Sequence, residues 1–166
     1  MHGSHDVAID HFIEGGYNFS ENKTEIQRLL HMEQAMADIL VIDDCKVNRI
    51  TLRFLFEQNE HCIVEAETGV EGERLFFADN HDIVFTDIFM PEQDGIQTIV
   101  NIRKVNKAVP IIAMSAGGSS RELDYLDHAL KLGATLAFPK PITKEVYNDI
   151  CEIIKNLGNT DNNRRE

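Results

Sequence analysis

Five polar residues stand out by type and by place: Asp43, Asp44, Asp87, Ser115 and Lys140. Each lies at the end of a short apolar or β-branched run. DILVI (38–42) runs into the acid pair, DIVFT (82–86) into Asp87 and PIIAM (110–114) into Ser115, while TLAF (135–138) comes shortly before Lys140. Taken singly, each has an ordinary reading: an Asp after a strand is a turn former or helix cap, a Ser before Gly-Gly is loop, a Lys is a solvated charge. Brought to one edge of one sheet, they read differently. Three clustered carboxylates repel one another unless a cation lies among them. Hard oxygen donors of this kind suit Mg²⁺, or Mn²⁺, rather than zinc. The Lys140 ammonium can offset the remaining negative charge or meet an incoming anion, and the Ser115 hydroxyl can donate a hydrogen bond to that anion. Such a set suits phosphoryl transfer, with an ionised aspartate as the nucleophile that becomes an aspartyl-phosphate. An ionised Asp already offers its lone pair and needs no general base.

The elements that must position these residues follow from periodicity. DILVI (38–42), CIVEA (62–66), DIVFT (82–86), PIIAM (110–114) and TLAF (135–138) predict five strands, short and mostly apolar as buried parallel strands are. Between them lie segments with helical spacing. Residues 46–58 repeat apolar positions at Val47, Ile50, Phe54 and Leu55. Thr68 and Glu71 form a capping box that opens a helix through Phe77, and Ser119 with Glu122 opens another to about Leu132. A helix over 95–104 has Ile96, Ile99, Val100 and Ile102 as inner positions. The last helix spans roughly 143–157, with Thr143 as N-cap and Gly158 as its stop. Strict alternation of strand and helix predicts an α/β fold, a doubly wound parallel sheet with helices on both faces. In such sheets sites form at the carboxyl ends of the strands, near a switch in strand order.

Composition narrows the function classes. The 166 residues predict one domain, and the formal net charge of −12 repels phosphate backbones, which argues against direct nucleic-acid binding. A basic protein surface or a cation is the natural partner. Cys45, Cys62 and Cys151 are scattered without CxxC spacing, which argues against a disulfide framework and a zinc site and reads as three core or near-core residues in a reducing compartment. No apolar stretch approaches about 18 residues, and no basic segment precedes an apolar core at the N-terminus. The expected location is the cytoplasm, without membrane insertion. Residues 1–36 read as a separate extension: they hold four of the seven histidines, a Gly-Gly step at 15–16 and one helix from about Asn22 to Gln34. The His31-Met32 dipeptide matches a common cloning site, so part of residues 1–31 is expected to be a leader or cloning remnant.

Four segments in register carry a resemblance: VIDD (41–44), TDIFMPEQDG (86–95), AMSA (113–116) and FPKP (138–141). In order and spacing, residues 38–157 resemble a response-regulator receiver domain, the phospho-acceptor half of two-component signalling, of the single-domain chemotaxis-regulator kind. The resemblance implies a flavodoxin-like (β/α)5 fold of strand order 2-1-3-4-5. It implies a receiver domain over 37–158 and a polar tail over 159–166. It implies phosphorylation of Asp87, a Mg²⁺ ion held by Asp43, Asp44, Asp87 and the backbone carbonyl of Phe89, and Ser115 and Lys140 against the phosphoryl group. It further implies a cis Lys140–Pro141 peptide. The implied partners are a sensor histidine kinase or histidine phosphotransfer protein, near the first helix and the strand-end loops, and a downstream target protein on the face of the fourth helix, fifth strand and fifth helix.

Two features depart from the family pattern. Where the family usually has Tyr or Phe, three residues before the lysine, this chain has Ala137, and Phe138 is expected to face the other side of its strand. The Ser115–Lys140 segment is a few residues longer than usual, with a Gly-rich AGGSS stretch (116–120) expected to be mobile. Phe89, two residues after Asp87, is expected to slow hydrolysis of the phosphoryl group. The same residue argues against a phosphate-handling hydrolase with an Asp nucleophile, which needs a second Asp there. Effector and phosphorelay intermediate remain open, and the complete acidic set argues against a degenerate receiver that only binds proteins.

Overall fold

The computed structural model describes residues 36–116 and 120–162. They form five strands and five helices in strict alternation: β1 (Asp38–Ile42), α1 (Lys46–Glu57), β2 (Cys62–Ala66), α2 (Gly69–Ala78), β3 (Ile83–Asp87), α3 (Gly95–Val105), β4 (Ile111–Ser115), α4 (Ser120–Lys131), β5 (Leu136–Pro139) and α5 (Lys144–Asn162). The strands pair in parallel in the order β2-β1-β3-β4-β5, as the resemblance implied. The order reverses between β1 and β3, and the Asp43–Asp44 and Asp87 loops leave the sheet there.

Because successive strand residues point to opposite faces, the core divides in two. Leu40, Ile42, Val84, Ile111 and Ala113 face Phe76, Ile99, Ile102 and Leu126 of α2, α3 and α4. Ile39, Val41, Ile83, Phe85, Ile112 and Met114 face Leu52 and Phe56 of α1 and Ile150 and Ile154 of α5. All five residues of β3 and of β4 are buried, which is why their sequences run apolar without alternation. The Phe56 ring lies 5.3 Å from Phe85 and 5.7 Å from Tyr147, tying α1 and α5 to the sheet. Asn59 donates to the Tyr147 hydroxyl at 2.7 Å, so that partly buried polar tip is satisfied.

Local signals placed the helices well. Thr68 accepts from the Glu71 amide at 3.1 Å, Asp94 from the Gln97 amide at 2.8 Å and Thr143 from the Val146 amide at 3.3 Å. Each cap satisfies an amide that the first helical turn leaves without a partner. The Glu71 carboxylate takes the Glu67 amide rather than that of Thr68, so the expected box closes one residue early.

Several boundaries differ from expectation. β3, β4 and β5 each begin one residue later than their apolar runs, so Asp87 and Ser115 are the last residues of their strands. Asp87 pairs with Met114 and Ser115 with Pro139 in the ladder, and backbone pairing does not depend on whether a side chain is apolar. Gly158 does not stop the last helix, which runs on to Asn162; an interior Gly costs a helix only about 1 kcal/mol and here meets no proline. In α1 the spacing located the helix but not its inner face. Val47, Ile50 and Phe54 are 69%, 51% and 69% exposed, while Arg49, Leu52 and Phe56 are buried. Leu52 and Phe56 fill the core, and Arg49 is drawn inward by polar partners on other elements. In α3, Ile99 and Ile102 are buried as expected and Ile96 and Val100 half-buried. Cys45 and Cys62 are exposed rather than near the core, and Cys151 is partly buried; all three are free thiols. The helix expected over 22–34, the extension over 1–35 and the Ser119 cap lie outside the described residues, as does most of the Gly-rich stretch. Among the described residues no helix is long and apolar enough to cross a membrane.

Candidate functional site

At the carboxyl edge of the sheet, one oxygen or more from each of Asp43, Asp44 and Asp87 lies within 4.8 Å of the others. The loop from β1 into α1 delivers the first two, and the end of β3 delivers the third. Asp43 is fully buried. Its Oδ1 accepts from the Cys45 amide at 2.9 Å, and the Asn48 side-chain amide donates to both its oxygens at 3.2 and 3.1 Å. Asp44 is exposed. Asp87 is 6% exposed, and its Oδ1 is buried without a hydrogen-bond partner among the described residues.

The segment after β5 brings in the positive charge. Lys140 Nζ stands 3.0 Å from Asp43 Oδ2 and 3.0 Å from Asp87 Oδ2, bridging two of the three acids. The Lys140 amide donates to the Ser115 carbonyl at 2.6 Å, and the Lys140–Pro141 peptide is cis. Burial pushes the Asp87 carboxyl above its ordinary range; Lys140 pulls it back in part, and Asp43 pushes it up further. Burial opposes the Lys140 charge, yet its hydrogen bonds and attraction to Asp43 and Asp87 outweigh that, and its pKa is raised. The ammonium therefore stays charged between the two acids.

The Ser115 side chain is fully buried at the end of β4, the strand beside β3, and its Oγ finds no partner among the described residues. Buried polar atoms are ordinarily paired. Two that are not, a carboxylate oxygen and a hydroxyl on neighbouring strand ends, fit a bound cation and an anion. Oxygen-only donors match Mg²⁺ in hardness.

The loop after Asp87 is tightly held. The Gly95 amide donates to the Ile88 carbonyl at 2.9 Å, and a Cβ on Gly95 would lie 2.1 Å from the Asp87 carbonyl oxygen. Only glycine admits this approach. Phe89 sits in that loop, 42% exposed, and its ring meets Tyr125 of α4. Ala137 packs on the face of α2, α3 and α4 and Phe138 on the opposite face, as alternation requires.

Acid pair, Asp87 and Lys140 thus converge, and Ser115 ends the adjoining strand. Asn48, Arg49 and Tyr125 escaped the reading of the sequence. For Arg49 a signal existed: it shares one helical face with Leu52 and Phe56, at i, i+3 and i+7. Asn48 lies only five residues past its partner Asp43, but nothing in its type or spacing marks it out, and for Tyr125 the partner, Phe89, is distant in the chain.

Comparison with known proteins places this geometry. The response regulator receiver domain model matches residues 39–152, more than half of the chain. This protein belongs to the response-regulator receiver family. The receiver chain is 30% identical over 116 residues to the chemotaxis protein CheY of Halobacterium salinarum, covering 68% of this chain and 94% of that protein. It is 28% identical over 111 residues to sporulation initiation phosphotransferase F of Bacillus subtilis, covering 67% and 87%. Among solved structures it resembles a response-regulator receiver protein of Clostridium thermocellum, with TM-score 0.65 and 29% identity over 76% of this chain and 98% of that one. It also resembles the response regulator TrrA of Thermotoga maritima in complex with Mg²⁺-BeF, with TM-score 0.63 and 29% identity over 71% and 99%. Receiver domains of this family use Mg²⁺ at an acidic pocket and interact with histidine kinases or phosphotransfer proteins.

Proposed function

We propose that Asp87 accepts a phosphoryl group from a phosphohistidine, in a Mg²⁺-dependent reaction, and that the modified receiver signals to another protein by a change of conformation. The observation that carries this reading is the Lys140 ammonium set 3.0 Å from both Asp43 and Asp87, beside the third acid. Asp43, Asp44, Asp87 and the Phe89 carbonyl would hold Mg²⁺, with Mn²⁺ as a substitute. Bound there, the cation supplies charge neutralisation for the phosphoryl oxygens. An oxygen of Asp87 forms a bond to phosphorus as the phosphorus–nitrogen bond breaks, and the electron pair leaves with the donor imidazole. Lys140 balances the charge on the phosphoryl oxygens, and the Ser115 hydroxyl, without a partner among the described residues, donates to one of them. The TrrA complex with Mg²⁺-BeF supports the metal assignment.

The donor surface is read from α1. Val47, Ile50 and Phe54 form an exposed apolar stripe. Beside it, a groove of about 530 Å³ runs between α1 and the segment after β5, lined by Asn48, Thr51, Leu55, Lys140 and Ile142 among others. A kinase or phosphotransfer protein laid on this stripe would bring its histidine to Lys140. For the downstream target, α4 exposes Leu123 and Leu130. The acidic balance favours protein targets over nucleic acid. Three free thiols, two of them exposed, suit the reducing cytoplasm. The 37–158 span is the signalling unit in this reading, with 1–36 an extension and 159–166 a tail. Likeness to the Bacillus phosphotransferase supports a second role, that of passing the phosphoryl group on to another histidine.

Incubation with Mg²⁺ and a small acyl-phosphate donor, followed by intact mass, tests the reading. The expected result is a gain of one phosphoryl group, lost in Asp87→Asn and in EDTA. A wild-type protein that stays unmodified with small donors and histidine kinases alike would overturn it.

A further inference from the structure

Arg49 is 4% exposed, a charged side chain inside the helix face that otherwise fills the core. A buried guanidinium is tolerated only when its donors are satisfied and its charge is paired. Here all three nitrogens of the fork donate. Nη1 donates to the Asp43 carbonyl at 2.8 Å and to the Asp44 carbonyl at 3.3 Å. Nε donates to Glu65 of β2 at 3.2 Å, and Nη2 to Glu67 just beyond that strand. Arg53, one turn further along α1, holds the other oxygen of Glu65 at 2.7 Å.

The two carbonyls matter most. They belong to the residues that carry the acid pair, and a carbonyl held in place fixes its peptide plane. Fixing the planes after Asp43 and Asp44 fixes the directions in which their side chains leave the backbone. Asp43 has further restraints from Cys45 and Asn48. Asp44 is exposed, so the backbone decides where its carboxylate projects. The glutamates anchor the guanidinium to β2, the strand on the far side of β1 from Asp87.

We infer that Arg49 is the positioning residue of the metal site: clamped between Glu65 and Glu67 on one side and the carbonyls of Asp43 and Asp44 on the other, it holds the acid pair in the arrangement that takes Mg²⁺ together with Asp87. This rests on the proposed Mg²⁺ reading and assigns the residue that presets the site's affinity. A Lys could supply the charge but not the fork, since one ammonium cannot span two carbonyls and two carboxylates.

Calorimetric titration of Mg²⁺ into the full chain, without phosphoryl donor, tests it. Arg49→Gln is expected to weaken Mg²⁺ binding about tenfold or more, the size seen when a residue supporting metal ligands is removed. Arg49→Lys is expected to fall between that and the wild type, and it carries the test if the Gln variant does not fold. Arg53→Gln loses a Glu65 contact on the same helix but no carbonyl contact, and is expected to bind like the wild type. Leu52→Ala lowers stability from the same buried face and is likewise expected to keep its affinity, which separates positioning from general loosening. Arg49 variants that bind Mg²⁺ like the wild type, or a Leu52→Ala variant weakened as much as they are, overturn the inference alone. A wild-type chain that binds no Mg²⁺ overturns the metal reading and the inference with it.

Discussion

The ring of Phe89 meets the ring of Tyr125 edge-on, with centroids 5.0 Å apart and planes at 80°. This pair links the loop that follows Asp87 to helix α4. Tyr125 packs on the same core face as Ala137, the position where an aromatic ring is usual in receivers. Among the described residues, position 89 therefore supplies one side-chain contact between the loop after Asp87 and this helix.

An apolar ring two residues after Asp87 is expected to hinder water, so Phe89→Asn is expected to shorten the phosphoryl half-life severalfold. Tyr125→Ala frees the Phe89 ring and is expected to move the half-life in the same direction by less. Edge-on aromatic pairs contribute about 0.5–1.5 kcal/mol, and a double-mutant cycle on stability is expected to return a coupling in that range. Decay of the modified species by intact mass gives the half-lives. An unchanged half-life in Phe89→Asn removes the shielding role.

Ionising Asp87 works against the fold. Its folded pKa is raised above 3.8 by burial first, with Asp43 adding and Lys140 opposing. For a carboxyl raised in this way, the destabilisation is absent below the unfolded value and complete above the folded one. Asp87→Asn is thus expected to melt higher than the wild type at neutral pH in EDTA, with the gap closing as pH falls toward the ordinary carboxylate range. Adding Mg²⁺ is expected to raise the wild-type melting temperature more than that of the variant. A wild type that is the more stable at neutral pH in EDTA would contradict this.

Gly95→Ala places a methyl 2.1 Å from the Asp87 carbonyl oxygen and 2.9 Å from the Ile88 Cα, both backbone atoms that cannot swing aside. The expected loss is about 1–3 kcal/mol, the usual range for overpacking, measured by urea unfolding. Because the strain falls on Asp87 itself, phosphorylation by a small donor should slow as well. Full stability in the Ala variant would show that the loop yields freely.

Phe54→Glu or Ile50→Glu charges the exposed stripe of α1 without touching the core. Transfer from a cognate phosphohistidine protein is expected to fall at least tenfold, while modification by a small donor stays within about twofold and stability within about 0.5 kcal/mol. Equal losses with both donors would place the defect in the site rather than in docking.

The sequence by itself determined the alternation of strands and helices, the caps at Thr68 and Thr143, and the delivery of five polar residues to strand ends. Those features depend on neighbours a few residues apart, where periodicity and capping act. It did not determine which face of α1 turns inward. Val47, Ile50 and Phe54 are as apolar as a core requires, yet Arg49 displaces them because Glu65 and Glu67 lie 16 and 18 residues ahead to receive it. Nor could it show that Lys140 reaches an Asp43 97 residues away, that Asn48 grips both of that acid's oxygens, or that Phe89 finds Tyr125. Local pattern fixes what each segment becomes. Which side chains meet is decided only when the sheet closes and buried charges and rings must find partners within a few ångströms.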